Sequence, residues 1–389
     1  MESFNFKLDT PPPSLGGSMK SENIMRDILL VGAGKIGETI IDFLVGSGDY
    51  RVTVIDHSEA QLNRFKGLTG VTTACMSVQD AGAMAAIMAG KFAVLSAAPY
   101  SVTAHVARAA HAAGIHYLDL TEDVANTRLV KSLAKDAKSA FIPQCGLAPG
   151  FISIVAHDLA RRFDTLDSVR MRVGALPLYP ANALNYNLTW STDGVINEYN
   201  EPCEAIVDGQ SCEVPALEEL EEFSLDGVRY EAFNTSGGLG TLCETLTGRV
   251  RQLNYKTVRY PGHRDIMKAL IQDLRLGERR EILKDILEHA LPATLQDVVL
   301  VFVTVSGHKD GRFLQESYAS KIYSQELGGH IRSAIQLTTS SGICTVLDLL
   351  ANGKLPAKGF VRQEDITLDM FLGNRFGRVY QTAPAVRAA

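Results

Sequence analysis

The segment Asp27–Ile40 reads DILLVGAGKIGETI. Its glycines, Gly32, Gly34 and Gly37, have the spacing G-x-G-x-x-G, with Lys35 and Ile36 between the last two. An apolar run precedes them, and a segment of helical periodicity follows with Ile36, Ile40, Ile41 and Leu44 on one face. In that context the first glycine permits a tight turn and the second lets backbone approach a pyrophosphate. The third lets helix pack on strand, and the helix start offers unpaired N–H groups to phosphate. The next apolar run, YRVTVIDHS, carries Asp56, His57 and Ser58 at its end. A carboxylate there accepts from the adenosine ribose hydroxyls and repels the extra phosphate of NADP. No Arg or Lys stands beside it, so the reading is NAD. Farther on, Ala97, Ala98 and Pro99 close a fourth apolar run, small enough to pass beside the cofactor's ribose.

Outward from this loop the pattern is regular. Six short apolar runs begin at Asp27, Tyr50, Val71, Phe92, His116 and Ala140, separated by helical segments. Ser58 and Ser101 stand where helices should be capped. Strands apolar throughout, alternating with helices, indicate a doubly wound parallel sheet covered on both faces. After Gly146 the character changes. SVRMRVGALP, ALNYNLTWST, CEAIVDGQSCEV, EFSLDGVRYEAF and QLNYKTVRY read as strands, with Asp208-Gly209 and Asp226-Gly227 as hairpin turns. The expected fold class is α/β: a Rossmann sheet plus a second α+β substrate domain whose sheet is mostly antiparallel. The expected divisions are a tail or leader over 1–25, a nucleotide domain over 26–147, a substrate and dimerisation domain over 148–333, and a segment over 334–389. That last segment contains one long helix stopping at Asn352-Gly353, placed to return to the first domain.

The chain has 389 residues, 46% of them hydrophobic, and a formal net charge of -6. Without clustered Lys and Arg, neither nucleic acid nor an anionic membrane is an expected partner. The 6 cysteines are scattered, with no C-x-x-C and no His at ligand spacing, so reduced thiols, a cytoplasmic location and no metal are expected. No apolar run approaches the roughly 20 residues of a membrane helix. Residues 1–25 lack the basic start and apolar middle of a signal peptide, and Met19 or Met25 could serve as the native start.

In an open parallel sheet the ligand lies beyond the carboxyl ends of the strands. Those ends carry SAAPYS with Tyr100, DLTED with Asp119, Thr121, Glu122 and Asp123, and QCGLAPGF with Gln144, Cys145 and Gly150. A carboxylate near the nicotinamide can hold a cationic amine or take its proton, and Asp119 is the residue read for that work. Asp123 reads as a helix cap. Gly150 opens a helix, where N–H groups could meet a substrate carboxylate. Cys145 has no base or cation adjacent in sequence and is a poor nucleophile. In the second domain Thr235–Gly238 reads as a close-approach loop. Lys256, Arg259 and His263 offer groups for a carboxylate or a proton, with a solvated surface charge as the plain alternative for each.

At these residues a resemblance emerges. VGAGKIGE, YLDLTED, CGLAPGFISIVAHDLA, the run from Asn185 to Leu217, EAFNTSGGLGTL, LNYKTVRYPGHRD and ANGKLPAKGFV together resemble the saccharopine dehydrogenase superfamily. Within it they are most similar to the lysine 6-dehydrogenases. The resemblance implies NAD-dependent oxidation of the ε-amine of L-lysine to a semialdehyde, which cyclises to a piperideine carboxylate. That chemistry needs a general base to take the amine's proton, and Asp119 or His263 is the expected catalytic residue. Tyr100, Thr121, Glu122, Gln144, Gly150, Tyr186, Thr241 and Arg259 are then expected around the substrate. Gly32, Gly34, Lys35, Ile36, Gly37, Asp56, His57, Ala97, Ala98 and Pro99 are expected around NAD. A homodimer through the second domain is expected. The alternatives are reductive condensation of an aldehyde with an amino acid, of saccharopine or carboxynorspermidine type, and a non-catalytic NAD-binding sensor.

Overall fold

The computed structural model describes residues 25–381. The expected tail, all but Met25, lies outside the described residues. The first sheet is built from β1 (Arg26–Val31), β2 (Tyr50–Asp56), β3 (Val71–Cys75), β4 (Ala93–Ser96), β5 (His116–Asp119) and β6 (Ala140–Ile142). Between them run α1 (Lys35–Gly46), α2 (Glu59–Leu62), α3 (Ala81–Met88), α4 (Tyr100–Ala113) and α5 (Val124–Leu133). All pairings are parallel, and the order reverses between β1 and β4. β1 shows why these strands are apolar throughout. Ile28 and Leu30 join the core beneath α1, while Leu29 and Val31 join the separate core on the other face. Both faces are covered, so no position is left for a polar residue.

α6 (Phe151–Ala160) leads into the second sheet. Its strands are β7 (Thr165–Pro177), β8 (Cys203–Val207), β9 (Gln210–Val214), β10 (Glu221–Leu225), β11 (Val228–Asn234), β12 (Val250–Arg259), β13 (Asp297–Lys309) and β14 (Arg312–Tyr323). The main path is β10-β11-β12-β7-β13-β14, with the β8–β9 hairpin attached to β12. β7 and β12 are parallel, and every other pair is antiparallel. The hairpin turns form at the pairs read from the sequence. Asp208-Gly209 has φ of 49° and 81°, and Asp226-Gly227 has 51° and 78°. Positive φ at both turn positions matches the right-handed twist of the strands, and Asp and Gly tolerate it. The helices α7 (Thr192–Asn200), α8 (Leu242–Leu246), α9 (His263–Lys268) and α10 (Arg280–Ala290) fill the connections.

After the small hairpin β15 (Gln325–Leu327) and β16 (His330–Arg332), α11 (Ala334–Ala351) runs between the two sheets, and β17 (Gly359–Phe360) pairs with β6. The nucleotide sheet therefore has 7 strands rather than the 6 read locally. Among the described residues α11 is the one helix long and apolar enough to cross a membrane, and it is instead the shared core helix, 94% buried. Alternate residues of the two central strands pack in that same core: Val169, Met171 and Val173 from β7, and Val299, Val301, Val303 and Val305 from β13.

Three local expectations are corrected. ALNYNLTWST is a loop, held by Asn182 bonding both Tyr186 N–H and Tyr186 C=O, with one bridge from Leu188 to Ala293. α4 begins at Tyr100 with Pro99 in the cap position, so Ser101 lies inside the first turn and no side chain caps the helix. α5 ends at Leu133 instead of running on to Ser139. Ser58 and Asp123 do cap their helices, accepting from Gln61 N–H and Asn126 N–H.

Candidate functional site

A cleft of about 580 Å³ opens where the nucleotide sheet reverses order and faces the second sheet. One wall is Gly34, Lys35, Ile36, Ala97, Ala98, Pro99 and Tyr100. The opposite wall includes Val173 and Ala175 of β7 with Tyr255, Thr257 and Arg259 of β12. Those alternate residues share one face of their strands. Thr121 and Glu122 enter from the loop after β5, Trp190 to Gly194 and Glu198 from the loop and helix of the second domain, and Gln336 from α11.

The nucleotide end is made by close backbone packing. Gly32 has φ of 103°, and a Cβ there would lie 2.7 Å from the Ala97 carbonyl oxygen. A Cβ on Gly37 would lie 2.0 Å from the Gly32 carbonyl oxygen. Gly34 differs: a Cβ there meets nothing within 4 Å, because it faces the open cleft. Asp56 braces the loop with both oxygens, accepting from Ala33 N–H at 2.8 Å and Ser58 N–H at 2.8 Å. His57 stands beside it at 3.2 Å with an exposed ring. Arg64 corrects the reading that no cation is near. Its guanidinium folds back to the Ala33 carbonyl and pairs with Glu38 at 2.9 Å. The uncapped start of α1, the open space at Gly34 and the carboxylate at Asp56 fit a dinucleotide.

At the other end the structure separates the candidates. Asp119 does not reach the cleft. It is 1% exposed, and its oxygens accept from Tyr117 O–H at 2.7 Å, Thr121 N–H at 3.1 Å and Gln144 N–H at 2.8 Å. Burial raises its pKa to about 6 against those three donors. It is a brace joining the loops after β5 and β6. Glu122, three residues on, lines the cleft. Burial raises its pKa to about 7, with only its own N–H opposing and Asp123 and Asp119 adding to the rise. Glu198 of α7 was not singled out in the sequence, yet it is the most perturbed carboxylate there. Burial, then the charge of Glu122, push it up to about 8, and Arg259 partly opposes this. No side-chain hydrogen bond to another residue or ion pair satisfies Glu122 or Glu198 among the described residues. Gly237 explains how Glu122 is held, since a Cβ there would lie 2.7 Å from the Glu122 carbonyl oxygen. The close-approach loop thus docks one domain on the other.

Arg259 lines the cleft and is 2% exposed. His263 does not reach it. Its ring is buried, with Nδ1 2.9 Å from the Leu184 carbonyl and Nε2 3.0 Å from the Tyr199 hydroxyl. Burial and the nearby Arg259 charge pull its pKa down to about 3, so it stays neutral. Tyr186 lies under the Arg259 guanidinium, 5.0 Å from ring centroid to Cζ. Gln144 turns inward to donate to Thr127 Oγ1. The N–H groups after Gly150 bond the Gly146 and Leu147 carbonyls, leaving none for a substrate. Thr241 donates to Glu364 of the C-terminal segment. Cys145 is buried, its thiol pushed well up by burial. Lys256 lies on the opposite face of its strand, bonded to the Glu219 carbonyl. Glu198 gave little signal in the sequence, being one acidic residue on a helix whose neighbours are also polar.

The saccharopine dehydrogenase NADP binding domain matches residues 28–141, and the saccharopine dehydrogenase C-terminal domain matches residues 146–374. The chain is 22% identical over 192 residues to bovine (Bos taurus) mitochondrial alpha-aminoadipic semialdehyde synthase, covering 48% of this chain and 21% of that protein. It is 23% identical over 184 residues to a Saccharomyces cerevisiae saccharopine dehydrogenase [NADP(+), L-glutamate-forming], covering 44% of this chain and 40% of that one. In both cases the match spans less than half of the relative's own length. The solved structure of apo saccharopine dehydrogenase (L-Glu forming) from Saccharomyces cerevisiae superposes with a TM-score of 0.72 at 17% identity, over 89% of this chain and 95% of that chain. That structural likeness extends through both sheets, and the two domain models between them take in nearly all the described residues. The chain belongs to the saccharopine dehydrogenase family.

Proposed function

We propose that this protein is a nicotinamide-dependent oxidoreductase that oxidises the ε-amine of L-lysine, using NAD. The observation that carries the reading is the charge of the cleft. Its lining has four acidic side chains, Glu122, Asp193, Glu198 and Glu288, against two cations, Lys35 and Arg259. Asp193 is paired with Lys284, and burial holds Glu122 and Glu198 in the protonated form until an ammonium draws them toward the charged one. A substrate with two amines and one carboxylate complements that balance. Saccharopine, with three carboxylates, complements it less well.

A bound nicotinamide supplies a hydride acceptor; the chain's own residues must handle the proton. A lysine ammonium has a pKa near 10.4, so reaching the neutral amine at pH 7 costs about 4.6 kcal/mol. An ordinary carboxylate, with a pKa near 4.3, is about six units too weak to take that proton. Glu198, raised to about 8, narrows the gap to about 2.4 units, or about 3.3 kcal/mol. Glu122 and Glu198 together attract the ammonium and then accept its proton. The carbon–nitrogen double bond forms as the hydride leaves. Water then adds to that carbon, so that the bond to nitrogen breaks and ammonium leaves with the semialdehyde as the other product.

The experiment is a substrate panel with NAD and NADP at pH 7 and pH 9, read at the absorbance of the reduced cofactor. Reduced cofactor formed from lysine alone, more strongly at pH 9, is expected. No turnover of any ω-amino acid would end the proposal. A second reading, reductive condensation of an aldehyde with an amino acid, is favoured by the names of the curated relatives. The same panel distinguishes it, because reduced cofactor would then disappear only when aldehyde and amino acid are both present. Asp56 favours NAD, while Arg64 offers NADP a phosphate partner, so both cofactors belong in the panel.

A further inference from the structure

We propose that Tyr199 and His263 form a buried relay that locks Arg259 as the seat of the substrate's α-carboxylate, and so select amino acids over plain diamines. The proposal deepens the functional reading above and rests on its choice of an amino-acid substrate. Arg259, Tyr199 and His263 are 2%, 1% and 0% exposed. Arg259 Nε donates to the Tyr199 hydroxyl at 2.9 Å. That oxygen sits 3.0 Å from His263 Nε2, and His263 Nδ1 sits 2.9 Å from the Leu184 carbonyl. Every direction is fixed by chemistry. A guanidinium only donates, so the tyrosine oxygen accepts. A carbonyl only accepts, so His263 Nδ1 carries the ring's proton and Nε2 accepts from Tyr199.

The relay holds one edge of the guanidinium, and Nη1 is tied to the Val258 carbonyl at 2.9 Å. Nη2 makes no hydrogen bond among the described residues, and Arg259 lines the cleft. Two buried hydroxyls close by make no full hydrogen bond: Thr189 Oγ1, which is on the cleft wall, and Tyr186 Oη, whose ring lies under the guanidinium and which interacts only weakly with Thr189 and Trp190. A buried donor without an acceptor costs about 1–3 kcal/mol, so such a group marks where a ligand should bind. A guanidinium with spare N–H groups beside two open hydroxyls fits a carboxylate. Tyr199 and His263 touch no substrate in this arrangement. They are positioning residues, and they account for a histidine that the cleft itself does not use.

The test uses Trp190, the only tryptophan in the chain, which lines the cleft. Its fluorescence reports binding of lysine and of 1,5-diaminopentane, which lacks the carboxylate, to the full chain without turnover. In the unchanged protein lysine should bind at least tenfold more tightly than the diamine. In Tyr199→Phe that preference should fall about tenfold, and in kinetics the loss should appear in KM for lysine more than in kcat. His263→Gln, which keeps an acceptor for the Tyr199 hydroxyl, should retain most of the preference, whereas His263→Leu should lose it. Equal weakening of both ligands in Tyr199→Phe, or no preference for lysine in the unchanged protein, would overturn the relay. A preference seen in binding and lost in Tyr199→Phe upholds it even if no amine is turned over, which would instead refute the proposed reaction.

Discussion

The two ends of the cleft are built on opposite plans. The nucleotide end uses backbone and empty space: Gly32 and Gly37 fit only because they lack a Cβ, and Gly34 faces open volume. The proposed substrate end uses ionisable side chains left short of partners, Glu122 from one domain and Glu198 from the other, with Arg259 tied at Nε and Nη1 and open only at Nη2. The first plan asks for shape at a few adjacent positions. The second asks for desolvated charge that only a ligand can balance. Stability and function therefore coincide at one end and conflict at the other.

The strongest way to break this comparison is to remove the charge. Glu198→Gln and Glu122→Gln keep the shape and abolish the base. If the pair takes the substrate's proton, kcat should fall about 10²–10⁴-fold in each. The pH profile should also lose a rising limb in the region between about 7 and 8 that their raised pKa values define. Because the two carboxylates repel each other, that limb belongs to the pair rather than to either residue. A kcat within threefold of the unchanged enzyme would remove them from the mechanism.

At the nucleotide end the glycines should split. Gly37→Ala puts a methyl 2.0 Å from a backbone oxygen, so α1 must move off β1 and dinucleotide binding should be lost. Overpacking of this kind costs about 1–3 kcal/mol or more. Gly34→Ala meets nothing within 4 Å. It should leave the melting temperature nearly unchanged while weakening the dinucleotide, measured by titration calorimetry, because its methyl points where the pyrophosphate comes close. Equal melting temperatures for the two variants would refute the packing account.

The same contrast explains what could be read from the sequence. Gly32, Gly34, Gly37 and Asp56 act through local geometry, so a short stretch carries the whole signal. The hairpins were legible because Asp208-Gly209 and Asp226-Gly227 impose a backbone shape of their own. β17 was not, since two residues with no periodicity become a strand only when the chain returns to β6. The Ala183–Thr192 stretch alternates like a strand, but Asn182 before it closes a turn onto Tyr186 and no neighbouring strand accepts it. Asp119 ends β5 and Glu122 stands three residues on in the loop that follows, and no sequence rule separates them. Their roles depend on where the N–H groups of Thr121 and Gln144 point. His263 looked catalytic for its chemistry, and burial beside Arg259 removes that chemistry.

Removing Glu198's charge should also reveal its cost to the fold. The folded pKa of about 8 lies above the unfolded value near 4.5, so the folded state keeps a proton that the unfolded state releases. Stability therefore declines as pH rises from about 4.5 to about 8 and stays low above that. At pH 5 the native Glu198 is already neutral, and Glu198→Gln should match the unchanged protein. At pH 9 the variant should be the more stable, by a few kcal/mol at most at about 1.36 kcal/mol per unit. Thermal melts at the two pH values check the sign. A variant less stable at pH 9 would show that a partner supports this carboxylate after all.

Asp119 supplies the sharpest control, because it is a buried carboxylate at the end of β5, three residues before Glu122, with the opposite task. Asp119→Ala strands the N–H groups of Thr121 and Gln144 and the Tyr117 hydroxyl in the interior, at about 1–3 kcal/mol for an unmet buried group. Asp119→Asn can keep both N–H bonds through Oδ1 and turn its amide toward the Tyr117 oxygen, so it should recover most of that loss. Activity per folded molecule should stay within about threefold for Asp119→Asn, since the group never meets the substrate. If Asp119→Asn instead lost as much kcat as Glu122→Gln, the proton would have to pass through the brace. Glu122 would then be the bystander.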